Sequence, residues 1–380
     1  MTPAELSRAV IGVVRRAVEA EELRVVVPET VIVRRPPRPG CGDYATNVAL
    51  QLAGPAGRTP YEVAEILARR LEKQSGIAQV EIAGRGFLNI TLSAGAYGDV
   101  VRQVREQRAR YGYGDGSADD AAGAEGALPV VAGEPGALRG QLVAEVVNRL
   151  LRVAAGRAPA PPGTPPGAPT ETVTETVTVQ EPPEAAEPLE AAEPPEPGPP
   201  DAPGGPTAPA PAPGAPAPPL GSDATRWALL RPPGEDTPRL TPDLLEQRES
   251  NPLFRVRYAH ARTQALVRNA HDLGVPVDAP QQADPAPYHH PAETELLGLI
   301  ADFPRVIETA ARRRAPDRVA RHLERLADAF FRFHDECPPL PKGDEKPSSA
   351  HAARIRLADA TGVVLAGGLD LLGISAPDHM

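Results

Sequence analysis

Histidine and lysine are scarce in this sequence, and both are missing from its middle. All eight histidines lie at position 260 or beyond, and the three lysines are Lys73, Lys342 and Lys346. Residues 74–259 therefore cannot supply an imidazole or an ammonium group to a reaction centre. Cysteine is equally scarce, since Cys41 and Cys337 are the only two. Their separation predicts neither a disulfide framework nor a metal site.

Aromatic residues make up 4% of the chain, and no apolar run approaches the roughly 20 residues that cross a bilayer. The N-terminal stretch contains Glu5 and lacks the basic start and apolar core of a secretory signal. These absences predict a cytoplasmic protein without a membrane partner. Proline and glycine are abundant instead, with 48 and 34 residues, so part of the chain is expected not to be globular.

The proline-rich part is residues 157–220. It holds nine acidic residues and, after Arg157, no basic one, which accounts for most of the net charge of −10. Such low-complexity sequence buries too little apolar surface to offset the entropy lost on ordering, and proline interrupts helices and strand ladders. We predict a disordered acidic Pro/Glu-rich linker. The remaining sequence is near neutral and can still present a basic face to a polyanion.

Residues 1–112 have the pattern of a compact α+β domain. Apolar residues recur at helical spacing after Thr2-Pro3, and two alternating segments flank a Gly-Arg-Gly turn. The predicted helices cover residues 4–17, 44–53, 61–71 and 96–110, and the predicted strands cover residues 30–33, 77–82 and 87–92.

Residues 221–380 have the pattern of an all-α helical bundle with short connections. Residues 113–156 are predicted to contain a loop, a short buried strand at 128–132 and an amphipathic helix at 141–155. The helices predicted for the bundle cover residues 223–230, 251–273, 291–313, 318–334 and 348–372.

Both ends of the chain resemble the arginyl-tRNA synthetase family, which belongs to the class I aminoacyl-tRNA synthetases. Residues 42–53 (GDYATNVALQLA) and 80–92 (VEIAGRGFLNITL) are similar to its N-terminal domain. Residues 223–231 (DATRWALLR), 251–262 (NPLFRVRYAHAR) and 367–380 (GGLDLLGISAPDHM) are similar to its DALR-type anticodon-binding domain. The resemblance implies that the first domain contacts the elbow of a tRNA and that the second contacts the anticodon.

Between these domains the family places a catalytic Rossmann domain, which starts with a strand and a His-x-Gly-His-Leu-Arg-Gly segment. Residues 128–151 (LPVVAGEPGALRGQLVAEVVNRLL) resemble this start, but Glu134 and Ala137 occupy the histidine positions. A carboxylate at position 134 would repel the ATP phosphates that the family's imidazoles help to stabilise. The lysine-bearing KMSK loop is missing as well. We predict that residues 113–156 are a remnant without catalytic residues; a chance strand–helix pair is the alternative.

In the N-terminal domain the resemblance singles out Phe87 and Asn89. It implies that they meet a base of the tRNA D-loop by stacking and a hydrogen bond, because splayed loop bases are what proteins read in RNA. The residues taken alone favour a core phenylalanine and a strand-end asparagine. Asp43 is expected to cap the helix that follows it.

In the C-terminal domain the family pattern runs near NPxFYVQYAHAR, with two tyrosines that face the anticodon. Arg255 replaces the first tyrosine and Arg257 the glutamine, while Tyr258 is kept. Positions 255, 258 and 262 share one helix face, so the ring of Tyr258 would stand between the cations of Arg255 and Arg262. This arrangement predicts binding with less base selectivity and more salt sensitivity. A solvated charged helix is the alternative, and His260 is expected to be structural. The predicted anticodon-binding residues are Asn251, Arg255, Arg257, Tyr258, Arg262 and Met380.

The resulting hypothesis is a non-catalytic protein that binds tRNA, most readily arginine tRNA, by elbow and anticodon. Two weak sites on one tether would bind with avidity. Neither a cofactor nor a metal is expected, DNA is not an expected partner, and a protein partner of the linker is left open. Two alternatives remain: an arginine–tRNA ligase that uses ATP with residual or partner-supplied activity, and a protein-interaction module that reuses the anticodon-binding surface.

Overall fold

The computed structural model of the chain describes residues 1–36, 41–114, 131–133, 138–158, 175–177, 220–277 and 288–380. Glu134 and Ala137, the positions at which the catalytic histidines were predicted to be lost, lie outside these residues, as does most of the predicted linker. Among the helices in the described ranges, none is long and apolar enough to cross a bilayer.

Residues 1–112 form the predicted α+β module. Its first helix begins at Pro3 because Thr2 and Glu5 form a capping box, in which each side chain bonds the other residue's backbone N–H. The predicted apolar face of this helix is fully buried, from Leu6 to Ala17. The helices are α1 (Pro3–Glu19), α2 (Val48–Ala56), α3 (Pro60–Leu71) and α4 (Ala94–Gln107), and the strands are β1 (Val33–Arg34), β2 (Tyr44–Thr46), β3 (Ile77–Ala83) and β4 (Phe87–Leu92).

These four strands form one antiparallel sheet with the order β1-β2-β4-β3. Leu88, Ile90 and Leu92 of β4 point into the core, and the alternate residues of the strand point outward. The predicted hairpin of β3 and β4 is confirmed.

The prediction of a helix over residues 44–53 is wrong at its start. Tyr44–Thr46 is a strand, and the helix begins only at Val48. Asp43 is not the cap of this helix, because its carboxylate accepts hydrogen bonds from the backbone N–H of Leu92 (2.7 Å) and from the hydroxyl of Tyr97. Pairing with β4 satisfies the backbone of residues 44–46, and this partner lies more than 40 residues away in sequence.

Residues 221–380 form the predicted helical bundle, and all five of its helices lie within two residues of their predicted bounds. The last helix is buried nearly all round because six other helices pack on it. The missing side chain of Gly368 lets Leu323 approach to 2.5 Å from the position that a Cβ would occupy. The helices are α6 (Ser222–Leu230), α7 (Pro252–Asp272), α8 (Pro291–Arg313), α9 (Asp317–Glu336) and α10 (Ser349–Leu372).

The helix of the predicted catalytic-domain remnant, α5 (Leu138–Ala154), packs into this bundle against α6, α8 and α10. Arg139 is 7% exposed, and its guanidinium donates to five backbone carbonyls of the segment that ends α6, the closest of them Pro233 and Asp236 at 2.7 Å. Arg149 donates to the carbonyls of Asp370 and Leu371 at the end of α10. The two arginines fasten α5 to the C-terminal domain.

The α+β module also packs directly on the bundle. Asp359 of α10 bonds Arg105 at 2.9 Å and Arg108 at 2.7 Å, and Tyr111 donates to the carbonyl of Ile300. The apolar core runs without interruption through both parts. The two predicted domains therefore form one body across their described residues.

One part of the predicted linker is paired. Strand β6 (Glu175–Val177) lies parallel to β5 (Val131–Gly133), so residues 175–177 depart from the predicted disorder. The run TETVTETVTV at 170–179 contains no proline and is rich in β-branched residues, which favour strands. Composition averaged over the whole segment obscured this local preference.

Candidate nucleic-acid interface

Phe87 and Asn89 lie on the outward face of β4. Phe87 is 46% exposed and Asn89 is half-buried. The reading of Phe87 as a core residue is therefore wrong. Across the sheet, Asn89 stands in register with Ala45 on one side and Glu81 on the other, and Ala45 pairs with Arg34. A purine-sized or pyrimidine-sized ring that stacks on Phe87 can meet the amide of Asn89 on the same face.

The strand that carries these two residues is fixed in place by hydrogen bonds to Asp43. The bonds from Leu92 and Tyr97 to Asp43 fix the far end of β4 against α4. Burial raises the pKa of Tyr97, and its hydrogen bond to Asp43 raises this pKa further, so the phenol stays protonated and donates. The outward residues of β4 are thus presented on a rigid strand.

At the start of α7, Asn251 is 6% exposed and all of its side-chain polar groups are engaged. Its Oδ1 accepts from the backbone N–H groups of Leu253 and Phe254, and its Nδ2 donates to the carbonyls of Leu244 (2.9 Å) and Glu246 (2.8 Å). This is a helix cap joined to the preceding loop. Asn251 can position the exposed residues of α7, but it has little capacity left to bond a ligand itself.

Tyr258 is 39% exposed and belongs to a stack of three rings. Its ring is nearly parallel to that of Phe254, with 5.5 Å between centroids, and to that of Phe331 on α9, with 5.8 Å. Part of the tyrosine's faces is therefore already covered, which leaves an edge and the hydroxyl to a partner. We call Phe254, Tyr258 and Phe331 the ring stack. Sequence reasoning missed Phe331, because nothing in its local pattern indicates a contact with a helix 73 residues earlier.

Arg255 lies beside the ring stack. Its guanidinium is 5.2 Å from the centroid of Phe331 and forms an ion pair of 2.6 Å with Asp328. The helix face predicted from sequence does bring Arg255, Tyr258 and Arg262 together against α9. Arg262 donates to Nε2 of His334 at 3.3 Å. Arg255, one of the two cations predicted to flank Tyr258, is therefore partly neutralised by the carboxylate of Asp328.

The opposite side of α7 borders an open cleft of about 250 Å³ between α6, the loop before α7 and the C-terminal residues. Three predicted residues line it, namely Asn251, Arg257 and Met380, and Phe254 joins it to the ring stack. Arg257 donates to the hydroxyl of Ser375 at 3.2 Å and lies 3.8 Å from Asp223. We call this the tail cleft.

The C-terminal segment, which ends at the tail cleft, lies along α7. His260 is 3% exposed and its Nδ1 is 3.0 Å from the carbonyl of Pro377, which confirms its structural role. Arg268, about two turns further on, approaches the carbonyl of Asp378 and the ring of His379. Met380 is half exposed at the rim.

A basic run at positions 312–325 is partly paired with carboxylates. Arg312 bonds Glu308 at 3.2 Å, Arg321 bonds Asp317, and the nearby Glu324 bonds Arg231 at 2.9 Å. Such pairs lower the positive potential that this surface presents to a polyanion. In the part of the chain that the structure describes, no cluster of histidine, cysteine, aspartate or glutamate has the arrangement of a metal site.

Two family models match the chain. Residues 5–92 match the arginyl tRNA synthetase N terminal domain, and residues 256–380 match the DALR anticodon binding domain. These matches contain Phe87 and Asn89 in the first range, and Arg257, Tyr258, Arg262 and Met380 in the second.

Relatives align with the full chain. The arginine–tRNA ligase of Frankia alni is 31% identical over 553 residues, and that of Renibacterium salmoninarum is 30% identical over 552, with the whole of both chains covered in each case. The arginyl-tRNA synthetase of Thermus thermophilus covers the chain over its entire length with a TM-score of 0.60 at 14% identity, which is a likeness of fold. On the identity and coverage of these relatives, the chain belongs to the arginyl-tRNA synthetase family.

Proposed function

We propose that this family member binds tRNA, arginine tRNA in the first place, and does not itself join arginine to it. The observation that carries the proposal is the direct packing of the elbow-type module on the anticodon-type bundle, through Asp359 with Arg105 and Arg108, and through Tyr111. In this family a catalytic domain is expected between these two parts. Here the described residues of both share one apolar core.

The sequence between the two matched regions supports the same conclusion. The alignment with the Frankia alni ligase runs over 553 residues, whereas this chain has 380, so much of that relative has no counterpart here. The interval from residue 93 to 255 contains no histidine and no lysine. Adenylate formation needs donors that stabilise the charge developing on the phosphates, and the histidine and lysine side chains that the family is expected to use for this are missing from the interval.

The Leu-Arg-Gly triplet at residues 138–140 has another use in this chain. Arg139 is buried and satisfies five carbonyls of the C-terminal domain, and α5 belongs to the bundle. We infer that this vestige of the family's signature segment now stabilises the anticodon-type bundle. Binding by this protein then needs no ATP and no metal.

Two surfaces are available for the RNA. The outward face of β4 offers Phe87 and Asn89, and α7 with the C-terminal residues offers the ring stack, Arg262 and the tail cleft. Because both surfaces lie on one body, they are held in a fixed relation, and avidity does not depend on the reach of the 157–220 segment. A tRNA ligand also places the protein in the cytoplasm.

The experiment that tests the proposal measures binding and chemistry on the full chain. We expect saturable binding of a fluorescein-labelled arginine tRNA transcript that weakens steeply between 50 and 200 mM KCl. Phe87→Ala should weaken it by roughly 5- to 150-fold, the range of a lost base–aromatic stack. Arginine-dependent exchange of pyrophosphate into ATP should stay at background.

Three results separate the proposal from its alternatives. Exchange above background would establish the ligase, an activity named in both relatives. Absence of tRNA binding at 50 mM KCl would favour the alternative that the chain is a protein-interaction module. Equal affinity for arginine tRNA and for an unrelated tRNA would remove the arginine-tRNA assignment alone.

A further inference from the structure

A second exposed aromatic residue lies near Phe87 in the fold, across a contact between the backbones of Gly86 and Pro60. Tyr61, at the start of α3, is 51% exposed, and Phe87 is 46% exposed. The other three aromatic residues of the α+β module, Tyr44, Tyr97 and Tyr111, are all less than 9% exposed. Exposed apolar groups that lie near one another on a surface mark interaction sites, so this pair is a candidate contact for a ligand.

A close backbone contact brings the segments that carry Tyr61 and Phe87 together. Gly86 has a φ of +126°, and a Cβ on it would stand 2.8 Å from the carbonyl oxygen of Pro60. The turn between β3 and β4 therefore touches the first residue of α3 with no room for a side chain. Phe87 follows one of these residues and Tyr61 the other, so the two aromatic residues flank this backbone contact.

Two arginines stand at the same contact. Arg58 precedes the start of α3 and Arg85 lies in the β3–β4 turn, and both are exposed. Neither guanidinium has a hydrogen-bonding or ion-pair partner within the described ranges. Glu62 is the nearby carboxylate, and it is occupied by the capping box with Thr59, whose hydrogen bonds lower its pKa, with a smaller contribution from Arg58.

The capping box also decides what the helix end can bind. The side chains of Thr59 and Glu62 already satisfy backbone N–H groups at the start of α3, so the helix terminus is not a phosphate site. Negative charge is instead attracted to the two guanidinium groups. Aromatic faces beside unpaired arginines are the combination that binds single-stranded nucleotides, with bases on the rings and phosphates on the cations.

We propose that Tyr61, Phe87, Arg58 and Arg85 form a site for two consecutive unstacked nucleotides of an RNA loop, with Tyr61 as a second stacking platform beside Phe87. The proposal deepens the tRNA-binding function and rests on it. It adds Tyr61 and the two arginines to the contact of Phe87 and Asn89 with a single base. Stacking reads no base edge, so this second platform adds affinity with little sequence preference.

The test uses the full chain and the labelled arginine tRNA transcript. Tyr61→Ala is expected to weaken binding by roughly 5- to 150-fold, and Tyr61→Phe, which keeps the ring, by less than about twofold. The double change Arg58→Gln with Arg85→Gln should make the dependence of log K on log salt less steep, by about 0.7 for each arginine. Arg15→Gln, on the exposed side of α1, is the matched control and should leave that slope unchanged.

The outcomes separate this inference from the proposed function. If Phe87→Ala weakens binding and Tyr61→Ala does not, the second platform is wrong while tRNA binding stands. Equal losses for Tyr61→Phe and Tyr61→Ala would point to the hydroxyl and overturn stacking. If the unmodified chain binds no tRNA, both proposals fail together. Thermal unfolding of each variant should match the parent, because all the altered side chains are exposed.

Discussion

The ion pairs that join the two modules allow a quantitative prediction. Asp359 of α10 is 8% exposed, and its two oxygens bond Arg105 (2.9 Å) and Arg108 (2.7 Å) of the α+β module. The hydrogen-bonding partners that the structure gives this carboxylate all belong to the other module. Changing Asp359 to Asn keeps its shape and removes its charge, and so weakens the attachment of one module to the other.

The expected loss of stability can be judged from the exposure of the two arginine side chains. A hydrogen bond to a charged group contributes about 1.5–3 kcal/mol net. The side chain of Arg108 is 54% exposed and gains little from the pair, whereas that of Arg105 is 23% exposed. We expect Asp359→Asn to lower the free energy of unfolding by about 2–3 kcal/mol. The coupling energy between Asp359 and Arg105 in a double-mutant cycle should be about 1–2 kcal/mol.

The assay is urea unfolding followed by tryptophan fluorescence. Trp227 is the only tryptophan, it is 1% exposed, and it lies in α6 of the bundle. Arg105→Gln lies in the other module, so a shift of the Trp227 transition by this change is itself a sign that the modules unfold together. Asp99→Asn is the control, since Asp99 pairs with Arg102 on the same helix α4 and both are exposed. This control should shift stability by less than about 0.5 kcal/mol.

A coupling energy below about 0.5 kcal/mol would refute the reasoning, because independent sites add within that margin. The same holds if Arg105→Gln leaves the Trp227 transition unchanged. A low coupling energy would mean that this ion pair contributes little to the attachment of the modules. An unchanged Trp227 transition would mean that the two modules unfold separately, and the argument from their direct packing would then lose its basis.

Three further predictions follow from single side chains. Asp328→Asn should release Arg255 for phosphate, tighten tRNA binding and steepen its salt slope by about 0.7–0.9. Burial, aided by the charge of Arg325, lowers the pKa of His322 to about 3, below the unfolded value near 6.5. The neutral form is therefore favoured in the fold, and stability should fall by about 2 kcal/mol from pH 7 to pH 5, a loss that His322→Phe removes. Arg139→Lys should lower stability by about 2–3 kcal/mol, because an ammonium group has three donors for five carbonyls.

Each of these has a matched control. Glu308→Gln removes a carboxylate from the exposed pair with Arg312 and should not tighten binding as Asp328→Asn does. His271→Gln changes an exposed histidine and should keep the acid sensitivity of the parent. Arg152→Gln, on the exposed side of α5, should cost less than about 0.5 kcal/mol. Equal effects of variant and control would contradict the prediction concerned.

The helices of the bundle were predictable to within two residues at their ends because their signals are local. Ser348 and Asn251 cap α10 and α7 with side-chain bonds to nearby backbone, and Gly373 ends α10 with a positive φ. The strand at residues 44–46 was not predictable in the same way. Its apolar pattern fits a helix, and only pairing with β4 decides otherwise.

The candidate site likewise contains some residues that the sequence indicated and others that only the folded structure brought to light. Phe87 and Asn89 were found from a motif, and the alternation along β4 places them outward together. The ring stack and the ion pair of Arg255 depend on Phe331 and Asp328, which α9 brings from more than 70 residues away. Tyr61 came to notice only through its position beside the Gly86–Pro60 contact.

By itself, the sequence determined the family, the two folded ends, the helix caps and the scarcity of reactive residues in the middle. These properties depend on residue identity and on neighbours within a few positions. Tertiary structure alone decided that the two ends pack on each other and that Arg139 serves the bundle. It also decided which arginines are paired and which remain open to a phosphate. Each of these depends on carboxylates, carbonyls and apolar faces that are distant in sequence, and their positions become defined only when the chain has folded.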